Sequence, residues 1–494
     1  MFGHIGWREV DDEWVYLHGN GGIGSEGTID AINSLSGNLR HYSLPDPPTA
    51  TDLRDAVQAS LGLLALGPRC LMVPLLASVY RAVLGNVDFS IVLTGPSRSF
   101  KSELAALVQQ HSGAAMNARN LPANWTSTEN ALEGIAFIAK DAILVIDDFC
   151  PLGTSRDVQQ LHKKADRVLR AQGNHSGRGR MNSDGTLRVE RPPRGLILST
   201  GEDLPTGLSL RARLVVLTVS PGDVGTLRNG HNAPLAQCQQ DAESGLYAAS
   251  LSAFLDWVAP QLAEIQNRLK SERNEFRQQW ATASQHARTP ANVADLALGL
   301  RCFMDFAVSV GAISQDERDQ HWSSGLKAFA EVAELQHEQI VQSEPALHFV
   351  ALVQAALSGG YGHIVNEHGG APPEPRAWGW QAELSRPNPE FPEGPCRPRG
   401  KCFGWVIEGQ LNLDPENSYA VAQTVAKDKD DSLSVTKSTL ARRLHEKGYL
   451  ESREATRQKL TTRKTIQGIR REVLHIRLDL FQNLSSTSTQ EDEN

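Results

Sequence analysis

The chain has 494 residues, of which 40% are hydrophobic and 21% charged. This is the composition of a globular protein and excludes a fibrous repeat or a largely disordered chain. The most apolar region, residues 61–84, is interrupted by two prolines, a glycine and two arginines, so we expect no membrane span. The length predicts three or four domains, each with its own core.

The N-terminus and the cysteines indicate the compartment. The first 18 residues contain neither a basic segment nor a long apolar one, so no signal peptide is predicted. Six cysteines are scattered without a CxxC pair. We therefore expect a cytoplasmic, reducing location, no disulfide framework and no zinc site.

The net charge of −8 is unevenly distributed. Residues 437–477 carry a net charge of +8, whereas the last 17 residues, 478–494, carry −4. A basic module on an acidic body predicts a polyanionic partner for that module. The alternative is a highly charged helical surface that is merely solvated.

The first 50 residues are predicted to be β-rich. Two aromatic-flanked runs surround an acidic turn, and the glycine-rich sequence GNGGIGSEG follows. Because no periodic helix comes after these glycines, we interpret them as a turn rather than a phosphate loop. A segment that begins abruptly on a hairpin is compatible with the end of a longer domain.

Residues 51–230 are predicted to form an α/β core. Two apolar helices, broken at Gly67-Pro68, precede an alternation of strands and helices. Strands are expected at 89–94, 114–118, 142–146, 195–199 and 214–219, and helices at 101–111, 127–140 and 155–171. This alternation is typical of a parallel sheet with crossover helices.

The remaining chain divides by composition. Residues 231–358 are predicted to be a helical lid region, and 359–402 a linker rich in glycine and proline. Residues 403–478 form a small basic α/β module, and 479–494 a disordered acidic tail.

A phosphate-binding loop is predicted after the first core strand. The strand FSIVLT leads directly into an eight-residue segment and then into an amphipathic helix. In this context backbone N–H groups and the helix N-terminus cradle phosphates, a lysine reaches the β- and γ-phosphates, and a hydroxyl holds Mg²⁺. The segment consists of Gly95, Pro96, Ser97, Arg98, Ser99, Phe100, Lys101 and Ser102. Phe100 stands where the pattern has glycine, and the alternative is an ordinary strand–loop–helix.

An acidic pair follows the strand ILVI about 45 residues downstream. At the end of a parallel strand, Asp147 would belong to the Mg²⁺ shell and Asp148 would orient or activate the attacking water. Ser199 and Thr200 end a further buried strand and would reach the γ-phosphate or that water. The alternatives are solvated strand-end acids and capping hydroxyls.

These motifs together resemble a known family. The order GPSRSFKS, ILVIDDF, LILSTGEDLP and SLRARLVVLTV resembles AAA+ ATPases of the MCM-like kind, in particular the helicases of bacterial mobile elements such as the self-loading helicases of staphylococcal chromosome cassettes. The segment GHIGWREVDDEWVYLHGNGGIG also resembles the N-terminal part of that family, a domain of unknown function. The resemblance implies homo-hexameric rings with ATP and Mg²⁺ bound between subunits.

Residue roles follow from the resemblance. It places Lys101 and Ser102 in the Walker A motif, the two aspartates in Walker B, and Ser199 or Thr200 at the sensor-1 position. Asp148 replaces the glutamate usual in the family, which shortens the side chain by one methylene.

Three arginines are candidates for contacts to ATP. Arg211 and Arg213 precede the last core strand, from which either could reach the nucleotide of a neighbouring subunit. The resemblance favours Arg213 as this finger and suggests Arg288 as a sensor-2 residue. The alternative for each is a surface arginine with a solvated head.

Two basic regions are predicted to bind DNA. The sequence Asn182-Ser183-Asp184-Gly185 predicts a hairpin flanked by Arg178, Arg180 and Arg188, which in MCM-like proteins would follow single-stranded DNA in the ring channel. The C-terminal module resembles a winged helix-turn-helix for duplex DNA, with mostly phosphate-type contacts. Its candidate contacts are Lys437, Arg442, Arg443, Lys447, Arg463, Lys464, Arg470 and Arg471. A solvated hairpin and a protein-binding winged helix are the alternatives.

The sequence thus predicts an AAA+ P-loop core with a parallel sheet, a helical region and a C-terminal winged helix. The function expected is that of an ATP-dependent DNA helicase or translocase. An AAA+ loader or remodeller, and a DNA-binding regulator that does not hydrolyse ATP, are the alternatives. The regulator remains an alternative because Phe100 and Asp148 depart from the family pattern.

Overall fold

The computed structural model describes residues 2–25, 27–29, 33–205, 207–225, 234–280, 288–342, 344–382, 396–429, 433, 435–453 and 459–482. The chain forms two compact units, Met1–Ile340 and Val341–Asn494. Each unit is described separately below. The domain boundaries expected from composition stay predictions.

The first unit begins with a four-stranded antiparallel sheet in the order β1-β2-β3-β4. Its strands are β1 Gly6–Val10, β2 Glu13–His18, β3 Gly21–Gly24 and β4 Gly27–Ile29. Asp11 and Asp12 connect β1 to β2 with φ values of 52° and 66°. Positive φ at both central residues is the geometry of the tight hairpin turn, which explains the acidic turn in the sequence.

The core of the first unit is a five-stranded sheet. In chain order the elements are α1 Ala50–Gly62, α2 Arg69–Ala82, β5 Ser90–Thr94, α3 Lys101–Gln109, β6 Ala123–Asn124, α4 Glu129–Ile138, β7 Ile143–Phe149, α5 Ser155–Asn174, β8 Leu196–Gly201, α6 Leu208–Arg211 and β9 Leu214–Thr218. The strand order is β6-β7-β8-β5-β9, and every neighbouring pair is parallel. The mixed α/β fold with a parallel sheet is therefore confirmed.

One predicted strand was wrong. Residues 114–118 form turns, and the edge strand is the two-residue β6. The apolar signal came from Met116, whose side chain is fully buried although its N–H is bonded to Gly113 O in a turn. A short apolar run cannot distinguish a buried turn from a strand.

Five helices complete the described part of the first unit and reach its boundary. They are α7 Pro234–Glu243, α8 Leu246–Val258, α9 Leu262–Trp280, α10 Arg288–Ser309 and α11 Gln315–Gln342. Helix α10 packs along α2, where Arg81 and Asp295 form a buried ion pair at 2.9 Å. No single described helix is long and apolar enough to cross a bilayer. The two helices Gln315–Val341 and Pro345–Ser358, which are bent relative to each other, reach that length and hydropathy only when they are taken together.

The second unit has a five-stranded sheet in the order β10-β13-β14-β16-β15. Its elements are α12 Pro345–Ser358, β10 Gly362–Asn366, β11 Trp380–Ala382, β12 Cys396–Pro398, β13 Lys401–Ile407, β14 Gln410–Leu413, α13 Pro415–Asp428, α14 Lys437–Glu446, β15 Thr462–Ile466, β16 Ile469–Ile476 and α15 Asp479–Gln482. Helices α12, α13 and α14 share one apolar core against this sheet.

Two segments of this unit that composition suggested to be irregular contain regular elements. The segment expected to be a linker, 359–402, contains β10, β11, β12 and the start of β13, because β10 pairs in parallel with β13. Residues 383–395 of that segment lie outside the described residues. The tail begins with the short helix α15, and its remainder, 483–494, also lies outside the described residues.

Candidate nucleotide site and basic surfaces

The loop of residues 95–100 leaves the carboxyl end of β5. All five residues of β5 are buried, and the strand lies between β8 and β9. Strands β6, β7 and β8 lie on one side of β5, and β9 lies on the other side. In open parallel sheets, ligands bind at the carboxyl ends of the strands where the strand order reverses in this way.

The backbone of this loop is constrained at three positions, by a close approach at one and by left-handed backbone at two. A Cβ on Gly95 would lie 2.2 Å from the carbonyl oxygen of Val219, so only glycine fits there. Arg98 and Phe100 have φ values of 66° and 65°, in the left-handed region. Each costs about 1–2 kcal/mol for a residue with a side chain. Backbone strain of this kind is often found at functional sites. Left-handed residues in a loop can also orient successive backbone N–H groups towards one point, where they form a concave anion-binding site.

Lys101 begins α3 and folds back over the loop. Its Nζ donates hydrogen bonds to Gly95 O at 2.8 Å, Pro96 O at 2.7 Å and Ser99 Oγ at 3.3 Å. The ammonium group is therefore held inside the curve of the loop, beside the N-terminus of α3. A positive charge and free helix N–H groups at one place form a site for an anion.

The acidic strand end lies against this lysine helix. Asp147 Oδ1 accepts hydrogen bonds from Ser102 Oγ, at 2.8 Å, and from Thr200 Oγ1. The Thr200 hydroxyl in turn accepts the backbone N–H of Asp148 at 3.0 Å. Residues from three elements, α3, β7 and β8, thus converge on one carboxylate.

Asp148 occupies a kink in β7. The pairing of β7 with β8 is interrupted between Ile146 and Phe149, and Asp148 has a φ of 65° and an exposed side chain. A bulge of this kind redirects a side chain out of the regular alternation of a strand. The kink therefore presents the two aspartates next to each other at the strand end.

The structure distinguishes between the two candidates on β8. Ser199 Oγ accepts a hydrogen bond from Trp125 Nε1 at 2.8 Å, whereas Thr200 contacts Asp147. Successive side chains of a strand point to opposite faces, so both cannot face the same group. Thr200 is the residue that joins the acidic network.

Sequence analysis missed Glu202, which follows β8. Its carboxylate accepts a hydrogen bond from Ser97 Oγ in the loop. Its backbone is fixed on both sides, since its N–H donates to Phe149 O at 3.2 Å and its carbonyl accepts from Thr94 Oγ1 at 3.4 Å. The only signal was its position directly after the strand end LILSTG.

The charges around Cys150 describe the electrostatics of the site. Partial burial raises the pKa of this thiol, the carboxylates of Glu202 and Asp148 raise it further, and Lys101 acts in the opposite direction. With Asp203, three carboxylates and one ammonium group therefore act on the same thiol. In the described part of the chain, no three His, Cys, Asp or Glu side chains form a metal-binding cluster.

The candidate finger Arg213 lies at the other end of the sheet. Arg213 directly precedes β9, and the first residue of β9 pairs with Ser90 at the amino end of β5. A five-residue strand spans about 16 Å, so Arg213 lies far from the loop of its own chain. Its guanidinium donates to Asn174 Oδ1 at 2.8 Å and to Ser209 Oγ at 2.9 Å.

Arg288 lies near Arg213, whereas Arg211 interacts with Asp203, which follows the carboxyl end of β8. Arg288 donates to Gly173 O at 3.2 Å. Partial burial, and then the charges of Arg288 and Arg170, lower the pKa of Arg213. Burial also lowers the pKa of Arg211, and its Nε is buried without a hydrogen-bond partner among the described residues.

The predicted hairpin at residues 181–187 is present, but its arginines differ. Met181 and Leu187 form an antiparallel bridge across the turn. Arg180 is paired with Glu133 on α4, and Arg178 Nη1 lies 3.9 Å from a second α4 carboxylate. Arg188 is exposed and forms no ion pair with a described residue. Of these three arginines, Arg188 is thus the one without an ion pair to a carboxylate in the described part of the chain.

The basic residues of the second unit fall into two groups. Some are engaged: Lys437 pairs with Glu416, Arg443 with Glu446, Arg463 with Glu472, Lys464 with Gln410, and Arg471 lies over the ring of Trp405. Others, namely Arg442, Lys447 and Arg470, are exposed. Arg470 lies on the β15–β16 hairpin, whose turn residues Gln467 and Gly468 both have positive φ.

Comparison with known proteins gives one family match and two similar solved structures. A family described as "Domain of unknown function (DUF927)" matches residues 4–191. No curated protein matches the sequence. A solved structure described as "SCCmec type IV Cch - active helicase" is similar with a TM-score of 0.56 at 11% identity, over 98% of this chain and 80% of that one. At this identity the similarity shows a shared fold.

A second solved structure, "The A form apo structure of NrS-1 C terminal region-CTR", is similar with a TM-score of 0.27 at 11% identity. It covers 63% of this chain and 72% of that one. A similarity at this TM-score carries no argument about fold or function.

Proposed function

We propose that this chain is an ATP-dependent DNA helicase or translocase, an MCM-like AAA+ motor that acts as a homo-hexameric ring and serves replication of a mobile genetic element. The observation that carries the proposal is the convergence of Lys101, Ser102, Asp147 and Thr200 at the carboxyl edge of a parallel sheet. The fold shared with a structure described as an active helicase supports it.

The residues at the site fit ATP and Mg²⁺. Mg²⁺ is usually bound by one or two carboxylates together with substrate phosphates and water, and the hydroxyl of Ser102 and the carboxylate of Asp147 supply such a donor set. When bound, the ion would neutralise charge on the phosphates. Lys101 and the loop N–H groups would hold the β- and γ-phosphates, and Asp148 would orient the attacking water.

The position of the arginines supports a ring. Arg213 and Arg211 would complete the site of a neighbouring subunit, because Arg213 lies at the opposite end of the sheet from its own loop. Arg288, next to Arg213, would act from the same edge as the sensor-2 residue. Finger arginines supplied in this way contribute about 10³–10⁵-fold to turnover in other nucleotide hydrolases.

The basic surfaces would contact DNA. In the hairpin, Arg188 is the residue available for the phosphates of a single strand. In the second unit, proposed as a winged helix, Arg442, Lys447 and Arg470 are the exposed candidates for duplex DNA. Such contacts give affinity that depends on salt and carries little sequence specificity.

The test is ATP hydrolysis by the purified chain with and without single-stranded DNA, for the wild type and Lys101→Ala. Turnover that DNA stimulates and that Lys101→Ala abolishes is expected. DNA binding without turnover in the wild type would refute the motor and leave the regulator that does not hydrolyse ATP.

A further inference from the structure

Three hydrogen bonds fix the position of Glu202 next to the phosphate loop. Its carboxylate accepts the Ser97 hydroxyl, its N–H is bonded to Phe149 O, and its carbonyl accepts the Thr94 hydroxyl. Glu202 directly follows β8 and therefore belongs neither to the loop of residues 95–102 nor to the acidic pair at the end of β7. An exposed carboxylate with both sides of its backbone fixed is already positioned before any ligand arrives.

The side chains of Asp148 and Glu202, both close to the loop, differ in length. Asp148 is one methylene shorter than the glutamate that phosphoryl-transfer sites of this kind use to position water. Glu202 has the full length, and both carboxylates lie close enough to Cys150 to raise the pKa of its thiol. Glu202 accepts a hydrogen bond from Ser97, and Lys101 donates to Pro96 O and Ser99 Oγ on either side of that serine, so both groups contact the same loop.

We infer that Glu202 is the carboxylate that takes the proton of the attacking water, while Asp148, with its shorter side chain, only helps to orient that water. The inference rests on the proposed function. In the step, the water oxygen forms a bond to the γ-phosphorus while the bond from that phosphorus to the β–γ bridging oxygen breaks. ADP leaves with the bonding electron pair, and the water proton passes to the Glu202 carboxylate and then to solvent.

The Ser97 hydroxyl then has a defined role. In the chain without nucleotide it holds the carboxylate over the loop. It is therefore a positioning residue, since it acts only through Glu202. A purely structural role for Glu202, as a brace for the loop, would instead predict that its loss weakens nucleotide binding and stability together.

The experiment measures kcat, nucleotide affinity and thermal stability of the full chain. The variants are Glu202→Gln, Glu202→Asp and the matched control Glu264→Gln, an exposed glutamate on α9. A fluorescent ATP analogue reports affinity. We expect Glu202→Gln to lower kcat by about 100-fold or more with Kd changed by less than about threefold, and Glu202→Asp to retain more activity.

The outcomes separate this inference from the proposed function. Wild-type turnover in Glu202→Gln would overturn the inference alone, and so would a loss of affinity as large as the loss of rate. A wild type that hydrolyses no ATP would overturn both.

Discussion

Phe100 offers a direct test of the loop conformation. It has φ 65° and ψ 20° immediately before α3, where the phosphate-loop pattern has glycine. Glycine pays no steric penalty there, whereas any residue with a Cβ costs about 1–2 kcal/mol. Phe100→Gly and Phe100→Ala both remove the ring, which is 40% exposed, so the difference between them isolates the backbone term. We expect the glycine variant to be more stable by about 1–2 kcal/mol.

The expected shift is measurable by calorimetry or thermal fluorescence. For a unit the length of Met1–Ile340, an unfolding entropy of about 2.1 cal/mol/K per residue converts this difference into about 1.5–3 °C. Glu334, exposed inside α11, supplies the opposite control, because Glu334→Gly should be less stable than Glu334→Ala. Equal melting of the two Phe100 variants, or a less stable glycine variant, would refute the left-handed loop.

Three further predictions concern stability and DNA binding. Burial lowers the pKa of His111 to about 4, so stability present above pH 6.5 should be lost as the pH falls towards 4, by roughly 3 kcal/mol; denaturant titrations should show a weaker pH dependence in His111→Phe. Asp295→Ala should cost about 3–5 kcal/mol in urea unfolding, because it leaves Arg81 buried and unpaired, and a cost below 1 kcal/mol would contradict that packing. In binding titrations with single-stranded DNA at several salt concentrations, Arg188→Ala should reduce the salt slope by about 0.7, whereas Arg180→Ala should change it less; equal effects would argue against the observed ion pairing.

The sequence was sufficient to predict which residues of the candidate site lie together, although their role in nucleotide binding stays a prediction. A glycine and a lysine within one strand–loop–helix, and an acidic pair at the end of a later strand, predict contact because parallel strands end at one edge. Ser102 and Asp147, 45 residues apart, are indeed hydrogen-bonded. The rule needs only the order of elements, which periodicity reveals.

Contacts set by the exact register of the chain could not be predicted. Whether Ser199 or Thr200 faces Asp147 depends on a single step of alternation along β8. Glu202 meets Ser97 only because the sheet brings two segments 105 residues apart together. No local sequence pattern predicts a contact between residues this far apart in the chain.

Charge counting had a similar limit at the hairpin. The three arginines are equivalent in the sequence, yet Arg180 is neutralised by Glu133 on α4. In the second unit, composition also gave no sign of the short strands within the segment expected to be a linker. Its prolines and glycines suggested irregular chain, but β10 and β12 are short strands that tolerate these residues at their ends.

The most direct test of the central claim is ATP-driven strand displacement. A forked DNA duplex with a fluorophore and a quencher on opposite strands would be mixed with the wild type, with Lys101→Ala, and with ADP in place of ATP. The account predicts strand separation only for the wild type with ATP. ATP turnover that DNA stimulates but that never separates or moves along a strand would contradict the helicase and favour a loader or remodeller.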